Sequence, residues 1–143
     1  MCGCRDLARK HGVGIHSHVG ESKVQALMGI RRYGKALVQH MDDLDLIGPD
    51  FTAAHTIWLD DNDLKIMRDK GGSLAHNPDS NMPPGNCMFR FRETRDMGAN
   101  GVIGTDGAHC SDNQNMYEAM RHASTPSKTQ TPNPRRWARL EEV

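Results

Sequence analysis

The stretch GIHSHVGES, residues 14–22, sets two imidazoles two residues apart and a carboxylate three beyond the second: His16, His18 and Glu21. Three more polar side chains stand at comparable places, each closing a short apolar run: His55 after FTAA, His76 after SLA and Asp106 after VIGT. Neutral imidazole and carboxylate suit a borderline cation such as Zn²⁺ or Fe²⁺, and a catalytic site leaves one coordination position to water. Water held this way ionises near neutral pH, and a neighbouring carboxylate can carry its proton to a leaving group. A single histidine at the end of an apolar run is ordinary loop chemistry. Four polar residues at four such ends, His18, His55, His76 and Asp106, form a set.

The elements that must position this set are legible as alternating helix and strand. RDLARKHG reads as a helix stopped by Gly12 and followed by the strand VGIHSH. SKVQALMGIRRYGKALVQHMDDLDLIG reads as helix broken near Gly34, ahead of DFTAAH. LDDNDLKIMRDKGG carries an Asp60 or Asp61 cap, an apolar face at Leu64 and Met67, and a Gly-Gly stop ahead of SLAH. CMFRFRETRDMGANG precedes GVIGTD, NQNMYEAMRHAS is helical, and RRWARLEEV reads as a further helix. Residues 77–86, with three of the seven prolines, read as an irregular functional loop. Strands separated by helices predict an α/β fold with a parallel sheet, whose strand C-termini face the catalytic mouth.

The totals narrow the class. At 143 residues the chain is one domain, long enough to bury roughly 70% of its unfolded surface. Eighteen basic residues balance 18 acidic ones without clustering, so neither nucleic acid nor an anionic membrane is expected as partner. No apolar run is long enough to span a bilayer and the first dozen residues lack a signal peptide's apolar core. A cytoplasmic location is therefore expected, with Cys2, Cys4, Cys87 and Cys110 as free thiols. Cys110, flanked by His109 and Asp112, offers a nucleophile on paper, but a triad draws its members from separate elements. His11, His40 and His122 fall on helices and read as solvated.

Together, IHSHVGES, AAHTIWLD, AHNPDSNM and GTDGAHCSDNQNMYEAMR resemble the second half of an amidohydrolase-superfamily enzyme. The closest branch is that of the cytosine, guanine and adenosyl-homocysteine deaminases and the triazine hydrolases, and the likeness spans nearly the whole chain. It implies a partial TIM-type (β/α)8 barrel, four βα units corresponding to strands 5–8, with residues 1–143 forming a single half-barrel. It implies His18 and Asp106 as metal ligands, and Glu21 as the carboxylate that shuttles protons and touches substrate. His55 would position the attacking water, His76 and Asn81 would line the substrate pocket, and Asp106 would also accept a proton. His16 lies on the same side of its strand as His18, beside the metal or lining the pocket.

The expected reaction is metal-dependent hydrolysis of a non-peptide C–N bond, the deamination of a small nitrogen heterocycle with Zn²⁺ or Fe²⁺. The family's site also uses a His-x-His pair on the first strand, and a β-sandwich accompanies its barrel; neither is found in this sequence. A half-barrel has two open sheet edges, so a homo-oligomer or a complementing N-terminal half is expected as partner. The alternative is a truncated, catalytically inactive half-barrel serving only as an assembly or weak metal-binding module.

Overall fold

The computed structural model describes all residues, 1–143. Four parallel strands lie side by side in chain order: β1 (Ile15–Val19), β2 (Phe51–His55), β3 (Ser73–His76) and β4 (Asn100–Ile103). The register pairs His18 with Ala54, Ala54 with Ala75, and Ala75 with Val102. These residues share one face of the sheet. Val19, Phe51, Ala53 and Leu74 share the other, and all four are buried. Helices cover that second face, where Phe51, Leu64, Met67 and Leu74 form the centre of the core.

Glycine stops or side-chain caps bound several of the helices. Helix α1 (Cys2–His11) ends on Gly12 at φ 63. The long segment after β1 divides as expected into α2 (Lys23–Tyr33) and α3 (Leu37–Asp43), with Gly34 left-handed between them. Helix α4 (Asp61–Lys70) opens on a capping box: Asp60 Oδ1 accepts from the Asp63 N–H at 2.8 Å, and Asp63 Oδ2 accepts from the Asp60 N–H at 3.2 Å. Beyond β3 come α5 (Pro78–Asn81), α6 (Phe91–Asp96), α7 (Ala108–Ser111), α8 (Met116–Ser124) and α9 (Ser127–Gln130). No helix is long and apolar enough to cross a membrane. All four cysteines are free thiols.

Three expectations are corrected. Residues 77–86 are not wholly irregular, because Pro78 opens the one-turn helix α5 and all four of its residues are buried. RRWARLEEV forms no continuous helix but two short 3₁₀ turns, Pro134–Arg136 and Leu140–Glu142. Arg92 fastens this segment, its guanidinium donating to the Trp137 carbonyl at 2.7 Å and to Glu142 Oε1 at 2.9 Å. His122 and His40 are not simply solvated: the first bonds to Asp79 through Nδ1, and the second stacks on Tyr33 at 3.7 Å.

The capping box has a cost at its inner end. Burial pushes the Asp63 carboxyl up to about 6, against a hydrogen bond from the Asp60 N–H, and Asp63 Oδ1 has no partner. The folded chain therefore holds this proton more tightly than the unfolded chain does, and stability falls as pH rises from about 4 to about 6. Asp63→Asn keeps an acceptor for the Asp60 N–H without the buried charge. It is expected to raise Tm at pH 7 by about 2–4 °C and to flatten that pH dependence, as thermal melts across pH 4–7 will show.

Candidate functional site

The site forms at the C-terminal ends of the strands, and backbone conformation decides which side chains reach it. His18 lies on the exposed face of β1 with His16 two residues before it. Gly20 follows at φ 62, where an added Cβ would stand 3.0 Å from Leu59 Cδ2, and its left-handed turn brings Glu21 beside the strand end. His55 pairs with Val19, so strict alternation would aim it into the helix-covered core. It is instead left-handed, φ 70, as is Thr56, φ 50. The His55 ring thereby reaches the opposite face and stacks on His18 at 4.8 Å. Left-handed backbone costs non-glycine residues about 1–3 kcal/mol, most for a β-branched one, and here it delivers an imidazole to the site.

His55 is only 1% exposed and its two nitrogens have different surroundings. Nδ1 lies 2.8 Å from Asn81 Oδ1. An amide oxygen can only accept, so in the neutral ring Nδ1 carries the proton and Nε2 presents its lone pair. Nε2 is buried without a hydrogen-bond partner, facing Glu21 Oε2 at 4.0 Å and Asp106 Oδ2 at 3.8 Å. His18, Glu21 and His55 each bring a donor atom within 4.8 Å of the other two. Two imidazoles and a carboxylate, one of them with an orphaned buried lone pair, fit a Zn²⁺- or Fe²⁺-type ion.

Asp106 sits three residues beyond the end of β4, left-handed at φ 62. It approaches His55 but falls outside the three-donor group. Burial raises its pKa, yet the neighbouring Ser80 hydroxyl, a hydrogen bond from the Gly107 N–H at 2.7 Å, and His55 and His18 nearby outweigh burial and hold the carboxyl below its ordinary range. Asp106 is therefore a standing anion at neutral pH.

The remaining expected residues are placed differently from one another. Asn81 is 1% exposed and lies against His55 rather than on an open wall. His76 is absent from the donor group; it stacks on Phe89 at 4.8 Å and lines a cavity of about 260 Å³ with Phe91, Met116 and Met120. Burial, then the neighbouring His55, pushes His76 down to about 3, so it is neutral at any physiological pH. His109 is exposed with Nε2 3.2 Å from Cys110 Sγ, and neither joins the cluster. Sequence reasoning missed Ser80 as a neighbour of Asp106 and Asp79 as partner of His122. Only the run Asp79-Ser80-Asn81 hinted at them, three polar residues on one helical turn. Each ties α5 to a different element: Asp79 to α8, Ser80 to the loop after β4, and Asn81 to the end of β2.

The chain is similar to known proteins along nearly its whole length. The Amidohydrolase family's sequence model matches residues 1–142. A 5'-deoxyadenosine deaminase of Methanosarcina mazei is 38% identical over 130 residues, 91% of this chain and 30% of its own length. A 5-methylthioadenosine/S-adenosylhomocysteine deaminase of Caldanaerobacter subterraneus is 35% identical over 123 residues, 86% of this chain and 28% of its own. Among solved structures, an adenosine deaminase of Xanthomonas campestris with bound zinc superposes at TM-score 0.85 and 23% identity, over 92% of this chain and 30% of that one. An atrazine chlorohydrolase of Arthrobacter aurescens complexed with zinc gives TM-score 0.85 at 25% identity, over 96% and 30%. The chain thus spans about 30% of the length of the curated relatives it matches.

The His55–Asn81 bond makes a direct prediction. Asn81→Leu strands the Nδ1 proton in a buried place, at a cost of about 1–3 kcal/mol in urea unfolding. Nitrogen NMR of His55 is expected to show one tautomer, Nδ1–H, in the parent chain and a mixture in the variant.

Proposed function

The chain belongs to the amidohydrolase family, and from that premise we propose that it contributes to hydrolysis of a non-peptide C–N bond, removing the exocyclic amine of an adenine-type nitrogen heterocycle. One observation carries the reading: the buried, unpartnered lone pair of His55 Nε2, facing two carboxylates. The deaminases of adenine nucleosides among the relatives support the substrate class.

In this reading, which takes its ligands from the family resemblance, His18 and Asp106 would hold the cation, Asp106 lying 3.8 Å from His55 Nε2 at the edge of the three-donor group, with His55 and Glu21 alongside. Bound Zn²⁺ or Fe²⁺ supplies a Lewis acid that brings water's pKa toward about 7. His55, its ring held through Nδ1 by Asn81, accepts a hydrogen bond from the attacking water at Nε2 and orients it. Glu21 takes a proton from that water and passes it to the heterocycle, and Asp106, already ionised, accepts the second and releases it to the departing amine. The oxygen stays on the ring carbon, the C–N bond breaks, and the amine leaves protonated. His76 and Asn81, proposed from the family resemblance to line the substrate pocket, serve in this geometry as a neutral wall and as the support of His55.

We propose as well that residues 1–143 act as one half-barrel completed by a second copy or by a complementing N-terminal half. Strands β1 and β4 each have only one hydrogen-bonded neighbour, Val102 on β4 is 42% exposed, and Val24, Leu27 and Met28 lie exposed on α2. The limited donor set favours one second reading, an inactive assembly or weak metal-binding half.

Metal and turnover separate the two. With the barrel complete and zinc supplied, the chain is expected to release ammonia from 5'-deoxyadenosine, to lose that activity on chelation and to regain it with zinc. Glu21→Gln should lower turnover by about 10²-fold or more with metal content unchanged, and a loss smaller than about tenfold removes Glu21 from the proton path. Absence of both turnover and stoichiometric zinc leaves the assembly reading. Light scattering of the chain at micromolar concentration should report a dimer or larger species, and a uniform monomer counts against completion by a second copy.

A further inference from the structure

Resting on the site reading above, we propose that Gln25 is a positioning residue that sets His18 and Glu21 relative to each other. Its side-chain amide spans the turn between them. The Glu21 N–H donates to Gln25 Oε1 at 2.9 Å, and Gln25 Nε2 donates to the His18 carbonyl at 3.3 Å. The backbone of Gln25 is anchored in turn, its N–H donating to Ser22 Oγ, the N-cap of α2, at 3.2 Å. One planar group thus holds both ends of the four-residue segment His18–Glu21, whose inner hinge is the left-handed Gly20.

The arrangement differs from an ordinary capping box. There the third helical residue reaches back to the N–H of the cap itself; here it passes over Ser22 to the residue before and adds a second bond to the strand end. The second bond requires a donor. A glutamate at this place could accept from Glu21 but would set a carboxylate against the His18 carbonyl. The amide is therefore required for both bonds, and helix capping alone would not demand it.

The test uses the purified chain, Co²⁺ as probe, and three variants: Gln25→Leu, Gln25→Glu and Ser22→Ala. Leucine and glutamate are both good helix formers, so the first two leave α2 intact, whereas Ser22→Ala removes the cap and leaves the clamping amide. Both Gln25 variants are expected to weaken Co²⁺ binding by about tenfold and to remove hydrogen-exchange protection at the Glu21 amide. Ser22→Ala should lower Tm without changing Co²⁺ affinity. The proposal is overturned if the Gln25 variants keep the parent's affinity and Glu21 protection, or if affinity follows Tm across all three. Should the parent chain take up no Co²⁺, the metal site belongs to the completed barrel or the assembly reading stands. Glu21 protection and the His18–His55 ring contact by NMR then decide Gln25, and their survival in Gln25→Leu refutes the clamp.

Discussion

The hydrogen bond between His55 Nδ1 and Asn81 Oδ1 is the constraint on which the rest of the site depends. In the neutral ring it selects Nδ1 as the protonated nitrogen, so that the Nε2 lone pair faces Glu21 and Asp106. The bond is useful only because the backbone at His55 and Thr56 is left-handed, bringing the ring across the sheet. Strain and hydrogen bond complement each other: the first chooses the face, the second chooses the tautomer. A buried imidazole with an unpaired nitrogen is otherwise unfavourable, and its presence marks a place where stability has been given up for chemistry.

The parallel sheet makes this arrangement possible. Strands that all run the same way release their side chains and loops at the same end, so residues from 18, 55 and 106 meet although far apart in sequence. The helix-covered face is closed by Phe51, Leu64, Met67 and Leu74, whereas the face bearing His16 and His18 is open. Chemistry and core are thus separated across one layer of backbone, and the open face is where the rest of a barrel would lie.

Much of this was legible in the sequence, and the parts that were not share a cause. The strands around His18, His55 and His76 followed from apolar runs between helices, and the breaks at Gly12 and Gly34 from glycine itself. The face to which His55 turns was not legible, because alternation gives the wrong side and only a left-handed backbone corrects it. Asn81 was expected to face substrate, and its contact with a residue 26 positions away has no local signature. The tail from Arg135 has helical composition, but it is held by Arg92, far back in the chain, through the Trp137 carbonyl and the Glu142 carboxylate, contacts with no local signature. Local pattern located the elements; long-range side-chain bonds decided their details.

Helix α5 is a single turn, too short to hold its own shape. Its orientation is inherited from what Asp79, Ser80 and Asn81 grip. Three consecutive residues on a helix project about 100° apart, so inserting or deleting one residue there would rotate all three out of line together. The turn behaves as a rivet through three plates, and any viable change in its length must be matched by simultaneous change at His122, Asp106 and His55.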